Sequence, residues 1–127
     1  MVKLIFLEYI KWDMAIAGIG IDVADIDRFE KLVYEENKNF YERIFTDEEI
    51  EYCLKKTNPY LHFAARFCAK EAFIKAADAK LKDLKKIEVV MDGEKPRIKT
   101  SLFQDKSIHL SMSHSEKVAT AIVLTEK

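Results

Sequence analysis

The chain has 127 residues, of which 49% are hydrophobic and 34% charged, a balance typical of one globular domain and not of a disordered polymer. Its 21 lysines and arginines nearly equal its 22 aspartates and glutamates, so the total charge favours neither a nucleic-acid partner nor an anionic membrane. No apolar run reaches the ~20 residues of a membrane span, and no secretion signal is evident. We therefore expect a cytoplasmic protein with no nucleic-acid or membrane partner, in which Cys53 and Cys68 are free, buried thiols.

The first clear element is a strand predicted over Ala15–Val23. Its two faces differ, because Ile19, Ile21 and Val23 share one face whereas Gly18, Gly20 and Asp22 share the other. Met1–Asp13 precede this strand. We interpret them as an N-terminal extension to a single domain that covers residues 14–127.

Three helices are predicted next. The first covers about Asp25–Asn37, with its first residue as the cap. The second covers about Thr46–Thr57 and opens with a capping-box sequence. The Asn58-Pro59 pair then breaks the chain, and a long helix follows over about Tyr60–Ala79.

Beyond the long helix the apolar residues recur at every second position, which predicts strands. These strands cover Ile87–Met91, Arg97–Thr100, Ile108–Ser113 and Val118–Leu124, with a turn at Asp92-Gly93. Helices in one block and antiparallel strands in the next favour an α+β fold, in which the long central helix packs on a small, mainly antiparallel sheet.

The strand motif Gly18-Ile-Gly-Ile-Asp22 is unusual, because glycine weakens a strand interior and removes side chains where another body approaches the backbone. It is not the dinucleotide-binding fingerprint, since Val23 stands where that pattern has its third glycine. The approaching body is either a ligand beside Asp22 or a helix packed tightly on the strand. The residues leave both explanations open.

The long helix carries small residues on one side (Ala65, Cys68, Ala69, Ala72 and Ala76) and bulky ones almost opposite (Phe63, Phe67 and Ile74). Such an enclosed helix rarely carries charges unless they are paired or bind something, yet this one has Arg66, Lys70, Glu71 and Lys75. An ordinary i, i+4 ion pair would account for Glu71 and Lys75. It does not account for Arg66, which lies about 140° around the helix from Glu71.

The third motif is Ser111-Met-Ser-His114-Ser115, at the end of a predicted strand. Its hydroxyls and imidazole could bind phosphate oxygens or transfer protons, or they could form a polar turn with a solvated histidine. His62 and His109 have no ligand-like spacing, so we expect no zinc site. The carboxylates of Asp22 and Glu71, together with several cations, instead indicate Mg²⁺ and a polyphosphate.

These three motifs, in this order and spacing, resemble those of the small phosphopantetheinyl transferases, specifically the holo-[acyl-carrier-protein] synthase family. The resemblance extends from Gly18 to Leu124. It implies the phosphopantetheinyl transferase fold, and a homotrimer with active sites at the subunit interfaces. It also implies Mg²⁺-dependent transfer of phosphopantetheine from coenzyme A to a serine of an acyl carrier protein, a step of fatty acid biosynthesis.

The resemblance implies roles for residues that match the family's motifs. Asp22 and Glu71 would bind Mg²⁺, and Lys75 would bind the phosphate and take part in catalysis with Glu71. The proton of the attacking serine would pass to Glu71 or to a metal-associated water, and the sequence does not distinguish the two.

The remaining roles concern coenzyme A and the carrier. Arg66 and His114 would lie near the 3′-phosphate, Gly93 and Pro96 near the adenine, and Arg28 against the carrier protein. If Arg66 and Glu71 both serve coenzyme A, their angular separation requires two copies of the helix, as a cyclic trimer provides.

Two alternatives remain at this stage. The acceptor could be a polyketide or peptide-synthetase carrier, which the sequence does not distinguish. The protein could also be a non-catalytic binder of coenzyme A or nucleotides, but such a binder would not need Asp22, Glu71 and Lys75 together.

Overall fold

The computed structural model describes residues 15–103 and 106–127, so the predicted extension Met1–Asp13 lies outside the described residues. The elements follow in the order β1 (Ile16–Asp25), α1 (Ile26–Glu30), α2 (Lys38–Ile44), α3 (Asp47–Leu54), α4 (Pro59–Ala77), β2 (Glu88–Asp92), β3 (Lys95–Lys99), β4 (Ser107–His114) and β5 (Val118–Glu126). Short 3-10 turns lie at Tyr34–Glu36 and Leu84–Lys86. All the strand pairs described are antiparallel. The predicted α+β class is confirmed.

The strands form two sheets. In the larger one β5 lies between β1 and β4, so that Ile122 of β5 faces Ile21 on one side and Ser111 on the other. The hairpin of β2 and β3 forms the smaller sheet. The larger sheet therefore brings together the first and third motifs, which lie at opposite ends of the sequence.

The backbone of helix α4 packs directly against the backbone of β1, and the two strand glycines make this close approach possible. A Cβ atom on Gly18 would lie 1.8 Å from the carbonyl oxygen of Ala76, and one on Gly20 would lie 2.0 Å from that of Ala72. Neither distance is compatible with a side chain. Of the two explanations for the glycines, the structure supports the packed helix, and the space they open is filled by α4.

The other side of α4 packs on aromatic residues from the preceding helices. The ring of Phe63 lies 4.6 Å from Tyr41 and 5.0 Å from Phe45, measured between centroids. All three residues are fully buried. The long helix is therefore enclosed on two sides, as its two apolar stripes predicted. No helix among the described residues has the length and apolar character needed to cross a bilayer.

The predicted helix over Asp25–Asn37 is wrong in its extent. Only Ile26–Glu30 is α-helical, and the side chain of Asp25 makes no capping hydrogen bond. The chain turns because the buried hydroxyl of Tyr41 donates to the carbonyl oxygens of Phe29 (3.1 Å) and Leu32 (2.7 Å). This long-range contact satisfies the end of α1 and seats α2, a helix that the sequence pattern did not predict.

The outer face of the larger sheet, opposite to α4, is apolar and exposed. Ile19 and Ile21 are each 62% exposed and Val23 is 64% exposed. Ile122, which pairs with Ile21, is 39% exposed. We call these four residues the outer apolar face.

Candidate active site

Asp22 and Lys75 meet where β1 crosses α4. The ammonium group of Lys75 donates to the backbone carbonyl of Ile21 at 2.9 Å and lies 3.3 Å from Oδ1 of Asp22. The hydroxyl of Thr120 on β5 donates to the backbone carbonyl of Asp22 at 2.8 Å and so fixes the strand at this point. Among the described residues the ion pair of Lys75 is with Asp22 and not with Glu71, so the ordinary i, i+4 pair is not the explanation for these two helix charges.

Glu71 belongs to the same charged group as Asp22 and Lys75. Burial raises the pKa of the Glu71 carboxyl, the negative charge of Asp22 raises it further, and the positive charge of Lys75 opposes both. Two carboxylates that disfavour each other's ionisation are stabilised when a cation joins them. The arrangement thus provides a place for added positive charge.

Cys68 lies beside this group as an uncharged thiol. Its pKa is raised to about 12, chiefly by burial and then by the charge of Asp22. The thiol donates to the carbonyl oxygen of Ala119 at 3.5 Å. Cys68 is therefore a neutral packing residue, and both it and Cys53 are free and buried as expected.

Arg66 is separate from the group of Asp22, Glu71 and Lys75 and lies on another side of α4. It is only 2% exposed, and its guanidinium carbon lies 4.2 Å from the centre of the Tyr52 ring. One nitrogen donates to the carbonyl of His62 over a long 3.4 Å, and within the described residues Nε has no acceptor. A buried cation with so few acceptors is well suited to bind an anion.

The cavity beside Arg66 has a volume of about 190 Å³ and gathers residues from α3, α4, the β2–β3 hairpin and β4. His114 at the end of β4 and Pro96 on β3 both line it, as do Tyr52 and His62. Arg66, Pro96 and His114 are thus brought together, although they are far apart in sequence. His62 has a lowered pKa because it is half-buried and lies near Arg66 and other positive groups.

Gly93 shapes the hairpin but is not among the residues that line this cavity. Its φ of 66° is the conformation that glycine adopts freely. Asp92 pairs with Lys95, so Gly93 and Glu94 form the turn. Glycine at the first of these positions is typical of a tight hairpin turn. The predicted turn at Asp92-Gly93 is therefore shifted by one residue.

Ser115 helps to form the β4–β5 turn. Its hydroxyl accepts hydrogen bonds from the backbone of Lys117 at 3.2 Å and of Val118 at 3.3 Å. Of the two explanations for the third motif, the turn therefore applies to Ser115, whereas His114 faces the cavity beside Arg66.

Arg28 is exposed on α1 and lines a charged cavity that contains no residue of either group. It shares this cavity with Asp25, Asp27, Glu30, Lys31, Glu116 and Lys117. The group of Asp22, Glu71 and Lys75 and the group of Arg66, Pro96 and His114 do not share a cavity in the described chain. The sequence interpretation missed Tyr52 and His62. His62 stands one helical turn before Arg66, and that spacing was the available signal.

Comparison with known proteins gives a consistent result. Residues 18–123 match the family model of the 4′-phosphopantetheinyl transferase superfamily. A protein from Geobacter sulfurreducens named holo-[acyl-carrier-protein] synthase is 38% identical over 88% of this chain and 98% of its own length. A protein of the same name from Chlamydia trachomatis serovar D is 39% identical over 86% of this chain and 98% of its own.

Solved structures give the same result. A holo-(acyl-carrier-protein) synthase from Bacillus anthracis, in complex with CoA (3′,5′-ADP), aligns with a TM-score of 0.77 at 37% identity. The alignment covers 89% of this chain and 98% of that one. The Helicobacter pylori synthase in complex with coenzyme A aligns with a TM-score of 0.73 at 30% identity, over 85% and 99%. The chain belongs to the holo-[acyl-carrier-protein] synthase family of the 4′-phosphopantetheinyl transferase superfamily.

Proposed function

We propose that this protein transfers the 4′-phosphopantetheine arm of coenzyme A to a serine of apo-acyl carrier protein, as a step that supplies fatty acid biosynthesis. The products are holo-carrier and adenosine 3′,5′-bisphosphate. The observation that carries the proposal is that this member of the family has both a carboxylate–lysine group and, separate from it, a buried arginine. The first suits a pyrophosphate with its cation, and the second suits a monophosphate.

The 3′-phosphate of coenzyme A is the anion that we assign to Arg66. The Tyr52 ring holds the guanidinium in place, and Nε lacks an acceptor within the described residues. Phosphate oxygens satisfy such donors well. His114 faces the same cavity and can add a further hydrogen bond, while Pro96 offers an apolar surface for the adenine.

Asp22 and Glu71 fit a magnesium ion. Mg²⁺ in proteins commonly takes one or two carboxylates and leaves its other positions to water and substrate phosphates. Among the described residues no group of three or more acidic, histidine or cysteine side chains is placed to hold a metal ion. When bound, the ion supplies positive charge to the pyrophosphate of coenzyme A.

The protein's own residues then have distinct tasks. Lys75 is held by Ile21 and Asp22 at the edge of this group and is 54% exposed at its side chain, so it can reach a substrate phosphate and balance the charge of the leaving bisphosphate. Glu71 has a raised pKa, which favours it as an acceptor of the serine proton near neutral pH.

We further propose that the protein is a homotrimer whose active sites lie between subunits. The outer apolar face would lose most of its exposed area if a second copy covered it, and burying Ile19, Ile21 and Val23 gives a hydrophobic gain. A closed ring also allows the Arg66 cavity of one subunit to lie beside the Asp22–Glu71 group of the next.

The carrier is expected to dock near Arg28, since acyl carrier proteins are acidic. The surroundings of Arg28 contain Asp25, Asp27, Glu30 and Glu116 beside Lys31 and Lys117. Because these charges largely cancel, long-range attraction of the carrier should be weak. The free, buried cysteines are compatible with the reducing cytoplasm, where we place the reaction.

The direct test is to incubate the protein with apo-carrier, coenzyme A and Mg²⁺ and to measure the mass of the carrier. A gain equal to one phosphopantetheine arm is expected. A carrier of unchanged mass, with a known synthase active on the same preparation, would overturn the proposal. Apo-carriers from polyketide and peptide synthetases, tested in parallel, show which acceptors are used.

A further inference from the structure

The buried ion pair of Lys70 on α4 and Glu49 on α3 has no role in the reaction described above. Both side chains are fully buried, and Nζ lies 2.6 Å from Oε1. Lys70 also donates to the backbone carbonyls of Ile44 at 2.8 Å and Leu84 at 3.1 Å. All three protons of the ammonium group are therefore in hydrogen bonds.

The carboxylate of Glu49 is satisfied equally well. Oε1 accepts from the backbone N–H of Thr46 at 2.9 Å, which closes the capping box of α3. Oε2 accepts from the backbone N–H of Val89 on β2, also at 2.9 Å. One ion pair thus joins α3, α4 and β2 at a single point.

Stability alone does not explain this arrangement. Two charges removed from water lose their hydration, and apolar residues of similar size in place of a buried pair often give an equally stable protein. An ion pair differs from an apolar contact in its geometry, because short, directed hydrogen bonds fix the distance and angle between the elements that carry them.

The three elements that the pair joins are also walls of the cavity at Arg66. Helix α3 contributes Tyr52, which stacks on the guanidinium. Helix α4 contributes Arg66, one turn before Lys70 on the same face. The β2–β3 hairpin contributes Met91, Glu94 and Pro96.

We propose that Lys70 and Glu49 are positioning residues for the adenosine 3′,5′-bisphosphate end of coenzyme A. Their ion pair holds α3, α4 and the hairpin at the spacing at which Tyr52, Arg66 and Pro96 bind the ligand together. Neither residue touches the ligand. This inference rests on the proposed function, because it concerns the same coenzyme A site.

The test replaces both charges with apolar residues of similar size, in the full chain. Lys70→Met alone and Glu49→Leu alone each leave a buried charge without its partner, so the Tm falls in both. The double variant Lys70→Met/Glu49→Leu removes both charges but leaves the backbone groups of Thr46, Val89, Ile44 and Leu84 without these partners, so its Tm lies above those of the single variants and below that of the wild type. Its affinity for adenosine 3′,5′-bisphosphate, measured by calorimetry, stays about 10- to 100-fold weaker, because small displacements of binding groups are costly.

A double variant that binds the ligand as tightly as the wild type would show that the pair is merely structural and would overturn the inference. Val123→Ala provides the matched control, since this fully buried residue on β5 lies outside the pair's contacts. It should lower the Tm and leave the affinity unchanged.

Glu49→Gln keeps the side-chain shape and serves if the double variant does not fold. It should bind the bisphosphate more weakly than Val123→Ala at equal Tm, and equal affinities would again overturn the inference. The wild type separates the two proposals. If it fails to bind adenosine 3′,5′-bisphosphate, the proposed function is wrong; if it binds and the variants bind equally well, only the positioning role is wrong.

Discussion

The ammonium group of Lys75 on α4 lies 3.3 Å from the carboxylate of Asp22 on β1. Glu71, one turn earlier on α4, is close enough for both charges to act on its pKa, with Asp22 raising it and Lys75 lowering it. The three residues therefore form one electrostatic unit across the contact of β1 and α4, and a change in one alters the protonation of another.

The first prediction concerns this unit without metal. Asp22→Asn removes a negative charge and should lower the pKa of Glu71, whereas Lys75→Met removes a positive charge and should raise it. Carbon-13 NMR titration of the Glu71 carboxyl measures both shifts. Shifts in the same direction would contradict the coupled unit.

The pH dependence of Mg²⁺ binding follows from the same shift. A raised pKa leaves Glu71 of the metal-free protein protonated at pH values where an ordinary glutamate is ionised. Because a metal ligand must be deprotonated, the affinity for Mg²⁺, measured by calorimetry, should fall as the pH drops through this raised pKa. An Mg²⁺ affinity that stays constant through that pH range would argue against Glu71 as a ligand.

The second prediction concerns the metal. Asp22→Ala and Glu71→Ala should abolish transfer while circular dichroism remains that of the folded protein, because neither side chain belongs to the buried core. EDTA should stop the wild type, and added Mg²⁺ should restore it. Full activity in EDTA would exclude the proposed metal site.

The third prediction concerns the contact of Gly20 with Ala72. Gly20→Ala places a Cβ atom 2.0 Å from a backbone oxygen and should destabilise the protein by about 3 kcal/mol or more, because backbone cannot move aside cheaply. Urea denaturation measures the loss. Gly93→Ala is the control: it meets no atom within 4 Å but has a positive φ, so about 1–2 kcal/mol is expected. Equal losses would contradict the packing argument.

Local patterns predicted much of this fold. The capping box at Thr46 and Glu49 is present, and the long helix was misplaced by only one or two residues at each end. Helix α2 was missed because Tyr41 ends α1 through a contact with no local signal. The ion pair of Lys75 with Asp22 also had no local signal, because i, i+4 spacing does not reveal that a strand far away in sequence passes beside the helix.

For the candidate site, the residue patterns supplied the candidate residues, and only the family resemblance grouped them. Because side chains alternate between the two faces of a strand, Asp22 was placed on the same face of β1 as the glycines, and that face does contact α4. Arg66 and His114 lie in one cavity only because β4 passes alongside α4, which no pattern within either segment contains. Tyr52 has no signal in the sequence, since its contact with Arg66 arises from the packing of α3 on α4.

The fourth prediction concerns the outer apolar face. Ile21→Lys places a charge at its centre, beside Ile122, and should convert the assembly to monomers, as measured by light scattering after size exclusion. Arg97→Asp, on the exposed side of β3, is the control and should leave the assembly unchanged. A wild type that is itself monomeric at micromolar concentration would rule out the proposed trimer.

The last prediction is that each active site uses residues of two subunits. Arg66 lies about 140° around α4 from Glu71, and its cavity does not include Asp22, Glu71 or Lys75 in the described chain. If both groups bind one coenzyme A molecule, a neighbouring subunit must supply one of them. Asp22→Ala and Arg66→Ala, each inactive alone, should therefore restore activity when mixed under conditions that exchange subunits. Random cyclic assembly leaves about a quarter of the sites with both residues intact, so recovery should approach that fraction of wild-type activity. Native mass spectrometry verifies the exchange. Exchanged subunits without any activity would mean that both residues serve a single subunit.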